Sequence, residues 1–552
     1  MIETRLSKYN LVCYVLPAFL LVPAAVSAQR DTTRKPAVDI ISSFKPTLRN
    51  ASKINFSGSQ LTADTSRPTL RYNIPSQNLF YAYEPVSLKP LELTTDTNLY
   101  LGSRRYIKAG FGNYSTPYFE TGLSFGDGKK TLVTLFGNYI SSKGDIKNQD
   151  YSQLNVKAAV SYFAAKHEIY GSAVVKNDNY YLYGYDHSLF DFKKEEIRQQ
   201  LEEFAFNAGL RNTVANTIGI RYNPNIGVSL FTNRNKASET TVKVNLPVEK
   251  NFGENILAKV ELIGEFTNYN TVGFIPDNIT VKNNLIQLLP SLTFTRTLFK
   301  LHAGLTPVWN DGEYGILPNI FFEAQLQEKV FMLQGGWVGR YVKNTYRHLT
   351  NVNPYLEPVT FQLNTRETEF YGGLKTSVGS HLNASAKASF ITYKNMPLFL
   401  NDTSSDNKGF LISNEPTLNN FRIHGDVSYV NQDKFTLSAG FNINAYTGLQ
   451  VNKKAWHTLP LELTGSFRWL AFEKIILKSD LYIFEGGNAL AKGGGSIPLQ
   501  GGFDLSAGAE YKINKQFSAW ADVNNILNDK YERWNNYPVY GLNVLGGIII
   551  RF

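Results

Sequence analysis

Toward its carboxyl end the chain places a hydrophobic side chain on every second position. Phe503, Leu505, Ala507, Ala509, Tyr511 and Ile513 alternate with Asp504, Ser506, Gly508, Glu510 and Lys512. After Asn514-Lys515 the rhythm resumes with Phe517, Ala519, Ala521 and Val523, and a last strand-like run, Leu542 to Phe552, ends the chain. The same period recurs upstream: Leu382, Ala384, Ala386, Ala388 and Phe390; Phe421, Ile423, Val427 and Tyr429; Phe435 through Ala445; Leu461, Leu463, Phe467 and Trp469. Successive side chains of a strand point to opposite faces, so each run has one apolar face and one wet face. Sustained over a whole chain, that pattern describes a sheet with lipid outside and water inside. The expected fold class is all-β: a large closed antiparallel transmembrane β-barrel.

Residues 1–28 have the form of a cleavable signal peptide. Arg5 and Lys8 precede the apolar run Leu11 to Ala25, and Val26-Ser27-Ala28 offers small residues before Gln29. That run is shorter than the ~20 apolar residues of a spanning helix and carries Pro17 and Pro23. The only cysteine, Cys13, lies inside it, so the mature chain is expected to lack thiols, as suits an oxidising envelope compartment. This excludes disulfides, thiolate zinc sites and cysteine nucleophiles. The net charge of +10 is spread along the chain rather than gathered in a basic block, which argues against nucleic acid as a partner.

Residues 29–103 are punctuated by Pro36, Pro46, Pro68, Pro75, Pro85 and Pro90 and sustain no alternation, so they read as an extended periplasmic or lumenal leader. Residues 104–552 read as the barrel, with about 22 strands. Short connections, near Asp127-Gly128, Asn431 to Lys434, Leu470 to Glu473 and Asn514-Lys515, are distinct from long ones at Gly184 to Glu196, Asn268 to Lys282, Lys343 to Thr365, Asn395 to Thr417, Gly486 to Leu499 and Asn528 to Tyr540. Such sorting of turns and loops is expected of the two rims of an outer-membrane barrel. One departure is the helical spacing of Ile197, Leu201 and Phe204, which predicts a short helix over Lys193 to Phe204.

The run Asn525-Ile526-Leu527-Asn528-Asp529-Lys530-Tyr531, then Pro538 and Gly541, then Gly547 to Phe552, resembles the carboxyl end of TonB-dependent outer-membrane receptors. Asn353-Pro354-Tyr355-Leu356-Glu357-Pro358, followed by Glu369 to Lys375, is similar to that family's mid-barrel element. The resemblance covers residues 104–552 and implies a receptor or transport barrel of the bacterial outer membrane, reached through the signal peptide. Members of that family carry a globular plug ahead of the barrel. Here the leader lacks the plug's pattern, and Leu542 stands where the family's loop has an arginine. The expectation is therefore a plugless barrel whose lumen is occluded by the leader, infolded loops or a partner protein.

No catalytic, cofactor-binding or metal-ligating residue is assigned. None of the seven histidines forms a His-Glu-x-x-His motif and no Gly-x-Ser-x-Gly elbow occurs. His424 and Asp426 are neighbours on one inward face, Asp402 and Asp406 share a loop, and Gly486-Gly487 with Gly493-Gly494-Gly495 lie between two strands; each reads as lumen wall or solvated loop. Inward Lys387, Arg422, Lys478 and Lys512 mix with Asp426, Asp480, Asp504 and Glu510, which leaves the solute unspecified. The function expected is binding or passage of a solute without a cofactor. The alternative is a structural barrel that scaffolds an envelope complex. The partners expected are membrane lipid and a protein docked on the leader or in the lumen.

Overall fold

A computed structural model describes residues 105–552, apart from 235, 273–277, 327–330, 380, 404–405 and 432–433. The expected signal peptide, leader and lack of a plug all concern residues outside that range. The described residues form one antiparallel sheet in which each strand pairs with its neighbours in sequence. The first strand, Arg105–Gly112, pairs with the last, Asn543–Arg551, from Tyr106↔Arg551 to Gly112↔Leu545, so the sheet closes on itself. Its 23 segments make 22 strands, because two of them, Ile220–Tyr222 and Asn225–Asn233, are halves of one. Both halves pair with Ala237–Phe252 in a single unbroken register, Ile220↔Lys250 through Asn233↔Ala237. Pro224 and Pro247 remove ladder donors at the join. There the Asn212 side chain stands in for the backbone, donating to the Ile220 carbonyl and accepting from the Tyr222 amide.

Closure follows from the solvent. In hydrocarbon each backbone N–H and C=O must find a partner within the structure, and a closed ring of strands leaves no edge. The period of two then sorts side chains by solvent. Phe370, Phe390 and Phe421 lie in register across three neighbouring strands, and all three are largely exposed on the outer wall. Positions between them turn inward: Glu369, Ser389 and Arg422 are buried.

Loops sort by rim as expected. Turns at one rim are short; in one, Asp127 Oδ1 accepts from the amides of Lys129, Lys130 and Thr131. The opposite rim carries the long loops, two of which fold into small hairpins, Asn488–Leu490 with Ser496–Pro498 and Glu532–Trp534 with Tyr537–Pro538. Three expectations need correction. Lys193 to Phe204 is not a helix: a strand starts at Arg198, Leu201 is buried and Phe204 is exposed on the opposite wall. The spacing of Ile197, Leu201 and Phe204, four residues and then three, matched a helix by coincidence. Asn395 to Thr417 is mostly strand, since Leu382–Asn401 and Phe410–Asn431 stay paired through Asn401↔Phe410 despite Pro397 and Pro416. The loop at Asn268 to Lys282 likewise shrinks, because pairing continues to Thr271↔Ile279. No described helix is long and apolar enough to cross a membrane; the helix found, Tyr346–Val352, has seven residues.

The outer wall should discriminate sharply by face. Replacing Phe390 by Lys is expected to destabilise the barrel by about 2–4 kcal/mol if that row sits near mid-bilayer. Replacing inward Ser385 by Lys is expected to change stability by less than about 1 kcal/mol. Reversible folding into lipid vesicles, followed by urea titration, measures both.

Candidate functional site at the outer mouth

The long loops meet. Tyr183 follows the fifth strand (His167–Tyr181), Tyr355 the thirteenth (Phe331–Val342) and Tyr537 the twenty-first (Phe517–Asn524). A closed ring of 22 strands spaced ~4.8 Å apart and tilted ~40° is roughly 40 Å across. Those three strands stand about a third of the circumference apart. Yet the Tyr355 and Tyr537 rings stack with centroids 3.7 Å apart, Tyr183 lies 4.8 Å from Tyr537, and Tyr183 lies 6.0 Å from Tyr355. Loops rooted so far apart can meet only by reaching inward across the mouth.

Hydrogen bonds fix this tyrosine knot. Tyr183 Oη donates to the Pro538 carbonyl at 2.9 Å, and Tyr537 Oη donates to the Lys408 carbonyl. Gln149 Nε2 donates to the same Pro538 carbonyl at 2.9 Å, and Tyr540 Oη donates to the Gln149 carbonyl. Gly184 permits the approach, because a Cβ there would lie 2.3 Å from the Tyr537 ring. Burial pushes the Tyr183 phenol up to about 12 and holds those of Tyr355 and Tyr537 well above the usual tyrosine value, so all three remain protonated donors at neutral pH. Beside the knot, Phe399, Phe410 and Trp534 pack edge to face.

Loop 343–364 supplies the rest of the closure. Its helix is too short to be stable alone and forms because both faces are held. Thr345 Oγ1 caps it by accepting from the His348 amide at 3.1 Å. Glu239 of the barrel wall accepts from the amides of Tyr346 and Arg347 at 2.6 and 3.4 Å and from Gln362 Nε2 at 3.1 Å. A carboxylate at a helix N-terminus meets both the free amides and the positive end of the helix dipole. Arg347 pairs with Glu203 at 2.7 Å. Lys343 donates to the Glu265 carbonyl, and Asn364 donates to Asn283 and Asn310. The loop is thus pinned along the inner wall from the sixth strand (Arg198–Asn212) to the eleventh (Phe299–Asn310).

Below the mouth the inward charges pair with one another. Lys387 meets Glu369 at 3.1 Å, Lys375 meets Glu323 at 3.2 Å, Lys478 meets Asp522 at 2.7 Å and Arg551 meets Glu510 at 2.6 Å. Lys108 lies 4.0 Å over the Trp520 ring. His424 Nε2 lies 3.4 Å from Asp426 Oδ1, so these two are neighbours as the sequence suggested. Ser385 donates to the Asp426 carboxylate, not to the imidazole. Among the described residues no three acidic, histidine or cysteine side chains converge on a metal position. Asp406 and its neighbour Asn407 take positive φ in a tight turn. Gly493 and Gly494 take positive φ at the tip of the hairpin Asn488–Leu490/Ser496–Pro498 and cradle nothing helical. The motif at Asn525 is a turn: its amide side chain donates to the carbonyls of Asp529 and Tyr540 and accepts from the Asp529 amide.

Sequence reading named none of Tyr183, Tyr355, Tyr537 or Glu239 as functional. The available signal was aromatic density in loops otherwise rich in proline, glycine and asparagine, as in Tyr180-Tyr181-Leu182-Tyr183 and Trp534 to Tyr540.

Removing the glycine or the wall carboxylate should loosen the cap selectively. Gly184→Ala and Glu239→Gln are each expected to raise protease cleavage within loop 343–364 at least several-fold, with barrel folding on cold gels unchanged. Equal cleavage in wild type and both variants would show that neither contact holds the cap.

No family model and no curated protein matches this sequence. Solved structures do. The FrpB iron transporter from Neisseria meningitidis (F3-3 variant) aligns with TM-score 0.63 at 12% identity, covering 81% of each chain. The siderophore receptor PirA from Acinetobacter baumannii aligns at 0.61 and 9%, covering 81% of this chain and 80% of its own. The copper transporter OprC aligns at 0.59 and 13%, covering 82% and 80%. The described residues therefore have the 22-strand fold of TonB-dependent receptor barrels.

Proposed function

We propose that this chain is a bacterial outer-membrane barrel that passes a solute through its lumen, with the outer mouth closed at rest by its own loops. The observation that carries the reading is the meeting of Tyr183, Tyr355 and Tyr537 from three distant stations on the rim. A bore roughly 40 Å across must be closed at rest, since left open it would collapse the permeability barrier of the membrane. Closure by side-chain contacts between loops, rather than by the strand ladder, supports a mouth that can also open.

Three further features support it. The lipid-facing outer wall fits a membrane seat. The inner wall is polar and many of its charges are paired, which suits a wet lumen. The fold is shared with an iron transporter, a copper transporter and a siderophore receptor. The chemistry proposed for the mouth is binding and occlusion, carried by protonated phenols and the aromatic faces beside them. The fold and the signal-like amino terminus support outer-membrane location in this reading, with non-enzymatic passage in place of catalysis.

The test is conductance of the purified full chain in planar bilayers near neutral pH. Wild type is expected to be mostly closed. Replacing residues 343–364 by a short Gly/Ser turn, or combining Tyr355→Ala with Tyr537→Ala, is expected to raise conductance at least tenfold. A loop-replaced barrel that is heat-modifiable on gels yet neither conducts nor releases a small dye from vesicles would refute passage.

A further inference from the structure

Three of the seven histidines sit in the mouth loops: His187, His348 and His457. His457, from loop 448–460, is the most constrained. It is 2% exposed. Its Nδ1 lies 2.8 Å from the Phe399 carbonyl, so that nitrogen carries the proton and donates. Its Nε2 faces the Asn535 amide at 3.4 Å, so that nitrogen accepts. Only the neutral ring protonated at Nδ1 satisfies both partners. The ring also packs edge to face on Phe410 at 5.3 Å and against Trp534 at 5.4 Å. His457 thus ties its own loop to the end of the fifteenth strand (Leu382–Asn401), to the start of the sixteenth (Phe410–Asn431) and to the last loop, which carries Tyr537 three residues beyond Trp534.

The groups facing this ring leave no place for a second proton. From the fifteenth strand comes a carbonyl, already used. From the sixteenth comes the Phe410 ring. From the last loop come the Trp534 ring, the Asn535 N–H and the Arg533 guanidinium, whose Nη1 donates to the carbonyl of His457 itself at 2.7 Å. The charged group acting on the imidazole is therefore another cation. His348, in the helix Tyr346–Val352, is buried with Arg347 beside it. His187 Nε2 lies 3.1 Å from the Tyr183 carbonyl, at the knot.

We propose that the mouth is latched by neutral histidine: protonation of His457, seconded by His348, sets N–H against N–H at Asn535, frees the last loop and opens the tyrosine knot when the outer medium turns acidic. The inference rests on the reading of the mouth as a closed passage. The linkage sign agrees. Burial, with Arg533, holds the closed-state His457 down to about 3, and burial holds His348 down to about 4, whereas a hydrated ring in an opened mouth titrates near 6.5. The open state therefore binds protons more readily between these values. The closed state keeps its full advantage above about pH 6.5 and loses it progressively as pH falls toward 3.

The experiment uses the full chain in planar bilayers, with the outer side stepped from about pH 7.5 to about 4.5, a window that brackets the free imidazole. Wild type is expected to go from closed to open. His457→Asn retains a donor for the Phe399 carbonyl and cannot take up a proton. Alone or with His348→Gln, it is expected to stay closed at neutral pH and to shift the opening midpoint at least one pH unit lower. Opening of His457→Asn at the wild-type pH would overturn the latch. So would a wild-type channel that stays closed to pH 4.5 while the loop-replaced barrel conducts, a result that leaves passage intact. A disulfide formed beforehand between Tyr355→Cys and Tyr537→Cys separates mouth opening from any acid effect on the barrel. The oxidised pair should remain closed in acid and reopen on reduction, whereas acid conductance through the oxidised pair would place the opening elsewhere and refute the proposal.

Discussion

The backbone hydrogen bond in hydrocarbon organises this molecule. Water cannot serve as partner there, and an unpaired N–H or C=O costs several kcal/mol. The sheet therefore has to close, and the joint between Arg105–Gly112 and Asn543–Arg551 matters as much as any pairing inside it. Where Pro224 and Pro247 withhold donors, pairing survives because Asn212 lends its side chain. Closure then dictates the side chains. Within the hydrocarbon the outer wall has no choice but to be apolar, and most strand charges are driven inward, with outward ones such as Lys282 and Lys394 kept toward the long-loop rim.

Inward charges face their own constraint. Near the closing seam Lys108, Lys478, Asp522 and Glu510 are all at least mostly buried, and isolated charges in such surroundings are costly. The pairs along the wall answer this: Lys478 with Asp522, Arg551 with Glu510, and Lys387 and Arg340 with Glu369. A lattice of this kind stabilises the wall only when complete. It also leaves little unpaired charge to advertise a solute, so mixed Lys/Asp composition is what such a wall should show.

How much of this was legible depended on whether the determining contacts were local. Alternation is local, so the strand runs around Phe503, Phe435 and Leu461 emerged with their faces correctly assigned. Turn chemistry is local too, and Asp127-Gly128 behaves as its composition implies. Misreadings arose where a local cue was outvoted from a distance. Pro397 and Pro416 look like breakers, yet Met396, Leu398 and Leu418 are buried with Trp456 of another loop, and the strands run on past both prolines. Ile197 and Leu201 mimic a helix stripe, but their burial comes from separate partners, Ile197 within the cluster of Leu182 and Tyr185 and Leu201 within that of Tyr346 and Tyr269. The knot itself was invisible. Tyr183, Tyr355 and Tyr537 are separated by well over a hundred residues each, and nothing in their neighbourhoods states that three loops converge.

Cap and wall differ in what holds them. The wall is a continuous ladder whose opening would expose backbone to lipid, so its units rise and fall together. The cap is held by side chains: aromatic pairs contributing about 0.5–1.5 kcal/mol each, and hydrogen bonds of about 1 kcal/mol, such as those of Glu239, Gln149 and His457. None of these is part of the strand ladder. The loops can therefore come apart on a free-energy scale set by their own contacts, while the barrel stays folded beneath them. That separation leaves the strand ladder intact whatever the loop contacts do. It also leaves the cap resting on few groups, so that single side chains such as Glu239 and His457 carry a large share of what holds the loops together.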